Sequence, residues 1–406
     1  MNETNKADKR KRILLIWYEI KNRPELLEPF IELSTRFEFI HLFFNRKEER
    51  EAETSPFPMI YWFDYSTPYK LIDTIKPDII FSEFPTDLKM IGLNIAAHNR
   101  SIPYFGMTHG IYFDDSYDIT LSNTHSIGKF RKYSSYLRII FFYFSSFKFR
   151  NLKYLFSAIR LLYHFIKDGY WEALVKVKFK LRLPDKYIVY QKKNLEKIIW
   201  EKHGCPPDRL IPIGVPQFDN IFKYWNSYKS NGQSINEGYY LMVDTAWIYN
   251  NDMPPTDVIT ATYLKLSDYC KTKNCKLLVK LHPYWYTKGD LPVNENIEYV
   301  RNIPQEDLSK LIIRSNGCFL YFSTLSIPIV PYKNCYFLFY RQPTKDLIDI
   351  TSIKVAKSID IQKLDNNNID FDNGFDRSRV DEYIRDYLYA TDGKATDRLG
   401  KILEDA

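Results

Sequence analysis

A chain of 406 residues, 45% hydrophobic and 17% aromatic, is long enough for two ordinary domains of roughly 150 to 200 residues each and too long for a single core. Its 57 Lys and Arg are nearly matched by 50 Asp and Glu, so the net charge of +7 excludes a protein that coats nucleic acid along its length. The five cysteines, Cys205, Cys270, Cys275, Cys318 and Cys335, are odd in number and scattered, which argues against a disulfide framework or a four-ligand zinc site and for reduced, structural thiols of a cytosolic protein.

The opening stretch, NKADKRKRILLIWYEI, has the charge and apolar run of a signal peptide. The run stops at Glu19 and Lys21 with no small-residue cleavage site, so it reads as a basic tail entering a strand. RILLIWYEI, FEFIHLFF and KPDIIFSEF follow as short buried strands. TDLKMIGLNIAAHNR then has helical apolar spacing with Thr86 or Asp87 as its cap, and IPYFGMTHG returns as a strand. This alternation predicts a parallel sheet covered on both faces, with ligands at the carboxyl ends of its strands.

From Lys129 to Arg182 the pattern changes to basic, aromatic helical stretches. DKYIVY, a helix over KNLEKIIWEKHG and the strand-turn RLIPIGVPQFD bring the sheet back, and polar NSYKSNGQSINEG reads as a linker. A second alternation follows: YYLMVDTA, a helix around DVITATYLKLSDYCKTK, KLLVKLHP, IEYVRN, a helix over QEDLSKLIIRSN, CFLYFSTLS and CYFLFY. The chain closes with two helices around Gly393. The expected domains are residues 1–225 with a helical insertion at 129–182, residues 226–380, and C-terminal helices at 381–406. Two α/β domains joined by a linker create a cleft.

The residues with chemical potential sit where such strands end. Lys280 and His282 close a strand in the second domain, and Pro283 sets the turn that follows, which is the arrangement of a phosphate site; a histidine that merely bonds a neighbouring loop is the alternative. Ser323, Thr324 and Ser326 end another strand of the same sheet and offer hydroxyls to the same anion, or a simple helix cap. In the first domain Glu83 and His109 end successive strands, and either could take a proton from a hydroxyl. Glu83 could instead serve the dipole of the next helix, and His109 could be structural. Asp114 and Asp115 fall on a loop open to an acceptor.

The sequence has no Gly-x-Gly-x-x-Gly or Gly-x-x-x-x-Gly-Lys-Ser/Thr fingerprint, and no Asp-x-Asp motif is placed at the expected cleft. Phosphate held by cations and hydroxyls needs no metal, so the expectation is a metal-independent enzyme without a cofactor. The segment 129–182 mixes Lys148, Arg150, Lys153 and other cations with aromatic residues, the composition of helices at an anionic membrane surface; packing on the first domain is the alternative. No run of about 20 apolar residues occurs, so no spanning helix is expected.

Four motifs together resemble the GT-B glycosyltransferases of bacterial surface-polysaccharide synthesis, a set that includes capsule, sialyl-, polysialyl- and Kdo transferases and CDP-glycerol glycerophosphotransferases. They are THG at Thr108 to Gly110, GVPQFD, KLHP and STLS, in matching order over roughly residues 76 to 340. The resemblance implies an α/β GT-B fold of two Rossmann-like domains facing across a cleft, an N-terminal acceptor domain carrying the helical insertion and a C-terminal nucleotide-sugar donor domain. It implies an inverting transferase that moves a sugar from a CMP- or CDP-linked donor to a surface or capsular glycan, or to a lipid-linked acceptor, at the cytoplasmic face of the cell membrane. His282, Ser323 and Thr324 would grip the nucleotide, with Lys280, Pro283 and Ser326 beside them, and Glu83 or His109 would be the base. The sequence lacks the acidic-acidic-glycine motif of the sialyltransferase kind, since YFDDSYD has no glycine. A CDP-alditol phosphotransferase, a UDP-sugar epimerase-like enzyme and a non-catalytic scaffold of the same fold stay open.

Overall fold

A strand buried on both faces must be apolar at both parities of its sequence, and the runs RILLI, IIFS, YYLMV and CFLY satisfy that rule. The computed structural model describes residues 10–17, 26–44, 55–83, 87–108, 133–191, 202–230, 237–244, 254–282, 291–301, 303–321, 323 and 325–406. These fall into two compact units. One takes the described residues of 10–108, 133–217 and 395–406, and the other those of 218–394.

The strands of the first unit are β1 (Arg12–Ile16), β2 (Glu38–Phe43), β3 (Met59–Tyr61), β4 (Ile79–Ser82), β5 (Tyr104–Met107), β6 (Lys186–Val189) and β7 (Leu210–Pro212). They form one parallel seven-stranded sheet in the order β3-β2-β1-β4-β5-β6-β7. Side chains alternate between its faces. Ile13, Leu15, Phe39, Phe81 and Met107 pack with Phe30, Leu33, Leu399 and Leu403 from helices Glu28–Leu33 and Ala395–Glu404. Leu14, Ile16, Leu42, Ile80 and Tyr104 pack on the other side with Leu71, Met90 and Leu93 from helices Pro68–Ile75 and Leu88–Arg100.

The insertion is helical, as its composition predicts: Tyr133–Phe144, Leu155–Asp168 and Tyr170–Lys176. Its first helix lies on Leu88–Arg100 so closely that a Cβ at Gly92 would stand 3.1 Å from the Cα of Tyr143. Buried Arg182 closes the end of the insertion, donating to the carbonyls of Leu174 at 2.8 Å, Val177 at 3.0 Å and His203. Leu174 belongs to the last turns of helix Tyr170–Lys176, where orphan carbonyls favour a cation.

The second unit has β8 (Tyr239–Val243), β9 (Lys276–Lys280), β10 (Ile297–Val300), β11 (Cys318–Tyr321), β12 (Cys335–Phe339) and β13 (Lys357–Asp360), all parallel, in the order β10-β9-β8-β11-β12-β13. Both sheets thus carry the Rossmann-type 3-2-1-4-5-6 order, with an extra edge strand in the first. The stretch expected as a linker is in part helix, Asp219–Ser230, because Trp225 is buried and its indole N–H donates to Ser309 O at 2.9 Å. KNLEKIIWEKHG lies largely outside the described residues.

The two C-terminal helices go to different units. Val380–Tyr387 stays with the second, where the Tyr383 hydroxyl donates to Ile327 O at 2.9 Å. Ala395–Glu404 joins the first through Leu399 and Leu403. Gly393 between them has φ +69°, and a Cβ there would stand 2.8 Å from Asp219 O, so this turn requires glycine.

Candidate functional site

In an open parallel sheet the strand order reverses beside its first strand, and the crevice outside the carboxyl ends at that point is where ligands bind. In the second unit the point lies between β8 and β11, with β9 adjacent to β8. Val243 and Lys280 are abreast in register, and Asp244 N donates to Lys280 O at 3.0 Å.

Beyond that bond β9 continues as Leu281 and His282. Leu281 is fully buried in the cluster that holds Leu277 and Val279, and Lys280 and His282, at the intervening positions, are half-exposed. Burial first, and the Lys280 charge second, hold the His282 imidazole below its ordinary pKa. A neutral imidazole beside an ammonium is a pair of donors whose repulsion is already relieved, suited to an anion.

The loop after β11 contributes Ser323 and Ser326. Ser326 is fully buried; its hydroxyl accepts from Ser323 N at 2.9 Å and donates to Ser323 O at 2.7 Å. It therefore shapes the turn from inside, and Ser323 is the partly exposed member. Thr324 and Pro283 lie outside the described residues.

Two rim residues carry no motif that singles them out in the sequence. Asp244, 5% exposed, ends β8 at the switch point. Burial above all, and the charge of Asp244 second, push the fully buried Tyr263 hydroxyl above the ordinary phenol range. A strand-ending acid in LMVDTA was the available signal, the counterpart of Glu83 in IIFSEF. Arg341 follows β12 with φ +66°, a left-handed conformation that a long side chain rarely adopts, and it is exposed.

In the first unit the switch point lies between β1 and β4, and Glu83 ends β4 there, its N–H donating to Ile16 O at 3.0 Å. The next helix is capped by Asp87, whose carboxylate accepts from Met90 N at 2.8 Å, so the capping role is filled by another acid. His41 on β2 is a further residue that only the fold makes notable. Its Nε2 donates to Trp17 O at 3.1 Å, its Nδ1 accepts from the Ser55 hydroxyl at 2.9 Å, and burial lowers its pKa to about 4. His109, Asp114 and Asp115 lie outside the described residues. Glu83 belongs to the first unit, and Lys280, His282 and Ser323 to the second.

Among the described residues no three His, Cys, Asp or Glu side chains gather as metal ligands. Asp370 and Asp372 flank the buried Phe371, and Asp370 accepts from the backbone N–H groups of Asp372 and Asn373 at 2.9 and 3.1 Å, which is a turn.

No protein-family model matches the chain, and no curated protein matches it in sequence. Solved structures do match in shape. One, assigned as a UDP-N-acetylglucosamine 2-epimerase from Listeria monocytogenes, covers 98% of this chain and 98% of its own at 11% identity and a TM-score of 0.51. Another, a variant of the wall teichoic acid polymerase TagF, covers 97% of this chain and 88% of its own at 13% identity and a TM-score of 0.50. The protein has a GT-B fold of two Rossmann-like domains. At these identities the likeness is one of fold.

Proposed function

We propose that the protein is a metal-independent enzyme acting on a nucleotide-linked sugar. The observation that carries this reading is Lys280 and His282, two residues apart at the end of β9 and next to the switch point of a Rossmann-type sheet. Lys280, His282 and Ser323 would hold donor phosphate, Pro283 and Thr324 would complete that loop pair, and Ser326 would keep its shape. Glu83 or His109 would handle the proton, with Asp114 and Asp115 near a second substrate.

Two chemistries use such a site. Removing and restoring a proton on a UDP-linked sugar needs a base and no acceptor, and the end-to-end match to a chain assigned as an epimerase favours it. Transfer of a sugar or alditol phosphate from a CMP- or CDP-linked donor needs an acceptor hydroxyl, and the THG, GVPQFD and STLS motifs favour it. For a sugar donor, displacement of the nucleotide by an activated hydroxyl would invert the anomeric carbon; for an alditol donor the hydroxyl would attack phosphorus and CMP would leave. In either case the acceptor is a surface or lipid-linked glycan, and the enzyme works peripherally at the inner face of the cell membrane.

A thermal-shift panel with CMP, CDP, UDP and GDP tests the shared part. A nucleotide at a hundred times its dissociation constant adds ~2.7 kcal/mol of apparent stability. Preference for UDP, with conversion of a UDP-sugar in the absence of any acceptor, selects epimerisation; preference for a cytidine nucleotide, with turnover only on an acceptor, selects transfer. A response to none of the four would leave a scaffold of the same fold.

A further inference from the structure

Large apolar side chains exposed to solvent are concentrated in one segment of the described chain: Leu137, Phe141, Phe149, Leu152, Phe156, Ile159, Tyr163 and Ile166 all lie within 30 residues of each other, against five such residues elsewhere. The helix Leu155–Asp168 explains the pattern. It buries Ala158 and Leu161, two modest side chains, against its own unit. Phe156, Ile159, Tyr163 and Ile166, continuing from Leu152, recur at alternating spacings of four and three residues and so form one face, which points outward. Phe156 is 77% exposed and Ile166 71%. A surface helix ordinarily turns such a stripe inward, and an apolar patch of this extent marks a contact site.

Beside the stripe, seven residues apart, stand Lys153, Arg160 and Lys167, all exposed. Between Asp118 and Asp168 the sequence contains no acidic residue. Other cations of the segment are turned to the protein itself. Lys148 lies 4.8 Å from the centre of the Tyr69 ring, Arg150 donates to Asn99 Oδ1 at 2.9 Å, and Arg138 donates to Phe63 O over the face of Trp62. The outward surface is therefore an apolar stripe with one cationic row, and the helix's single acid, its last residue Asp168, is paired with His164 at 2.6 Å and Lys176 at 3.1 Å.

That combination selects its partner. Aliphatic and aromatic side chains suit the boundary of lipid acyl chains, and a flanking row of Lys and Arg suits headgroup phosphates. A contact between two copies of this face would set cationic rows near each other, with no acid in the stripe or the row to offset them. Among the described residues no helix is long and apolar enough to cross a membrane, so the seat would be on the surface. We infer that Leu152 and the helix Leu155–Asp168 seat in an anionic lipid surface, the stripe entering the acyl boundary and Lys153, Arg160 and Lys167 meeting lipid phosphates. This supplies the face for the peripheral placement proposed above and does not depend on which chemistry the site performs.

The test is co-sedimentation of the full-length protein with phosphatidylglycerol–phosphatidylcholine vesicles and with phosphatidylcholine vesicles. It is run at ~0.1 M and ~1 M salt, between which the screening length falls from ~10 Å to ~3 Å. The wild type should bind the anionic vesicles at both salt levels, less at the higher, because the apolar part is not screened. The variant F156S/I159S/I166S should lose at least ~10-fold in binding at both, and K153E/R160E/K167E mainly at low salt. All three proteins should share one melting temperature and one nucleotide response, which separates failure of this surface from failure of the catalytic reading. Equal vesicle binding by the wild type and the triple-serine variant overturns the inference. So does a wild type that ignores vesicles but forms a dimer that the triple-serine variant dissolves, which would make the occupant a second copy.

Discussion

The backbone N–H of Asp244 donates to the carbonyl of Lys280 at 3.0 Å, so β8 and β9 end level at the rim of the second sheet. A half-exposed ammonium and a buried acid therefore leave adjacent strands one residue apart in register, Lys280 abreast of Val243 and Asp244 one step beyond. The charge of the acid adds to burial in raising the pKa of the Tyr263 phenol, and the charge of the ammonium adds to burial in lowering that of His282.

Lys280→Ala should move two observables together. The His282 pKa should rise toward its ordinary value, but only in part, because burial is the larger cause of its depression and stays in place. Nucleotide affinity should fall, as it should in His282→Ala, by the ~1.5 to 3 kcal/mol of a lost charge-assisted phosphate contact. An NMR titration of His282 and a calorimetric titration with the preferred nucleotide check both; unchanged affinity in both variants would remove these residues from the phosphate site.

Glu83→Gln should lower turnover at least ~100-fold and leave nucleotide binding intact, since the change keeps the shape and removes the proton acceptor. Steady-state kinetics and nucleotide titrations on Glu83→Gln and His109→Ala together assign the base. Near wild-type turnover in both variants would direct attention to Asp114 and Asp115.

Acid should destabilise the first unit through His41. Its pKa is depressed in the folded state, to about 4 against 6.5, so its contribution to stability is complete above about pH 6.5 and is lost as the pH falls toward 4. The loss approaches roughly 3 kcal/mol at the acid end, since each tenfold difference in proton affinity between the folded and unfolded chains corresponds to ~1.4 kcal/mol. Denaturant melts from pH 7.5 to pH 4.5 should show falling stability, and His41→Phe should flatten that fall while lowering stability at pH 7.5, because Trp17 O loses its donor.

Arg182→Ala should destabilise by about 3 kcal/mol or more, since three buried carbonyls, those of Leu174, Val177 and His203, lose their donors at once. Arg182→Lys should recover little of this, because an ammonium on a flexible stem cannot reproduce the planar fork. Urea midpoints at constant slope decide it; a loss below ~0.5 kcal/mol in the alanine variant would mean that water replaces the guanidinium.

Strands buried on both faces are legible in the sequence, because such burial leaves only apolar residues to choose from: β1, β4, β8 and β11 can be read in that way. So is the Lys280-x-His282 pair, because two residues two apart on a strand share a side whatever surrounds them. The edge strands β3 and β13, MIY and KSID, carry too little apolar sequence to announce themselves and exist through pairing with β2 and β12. Asp244 and His41 became notable only through Tyr263 and Trp17, partners 19 and 24 residues away along the chain. Likewise the amphipathic period of Leu155–Asp168 and Ala395–Glu404 is written in the sequence, but not which face each helix would bury. Leu399 and Leu403 turned inward because one face of the first sheet had apolar surface to receive them, and Phe156 and Ile166 turned outward because Ala158 and Leu161 were the side chains that fitted beneath. Periodicity is a property of one helix, whereas burial belongs to the helix and its neighbours together and is settled when they pack.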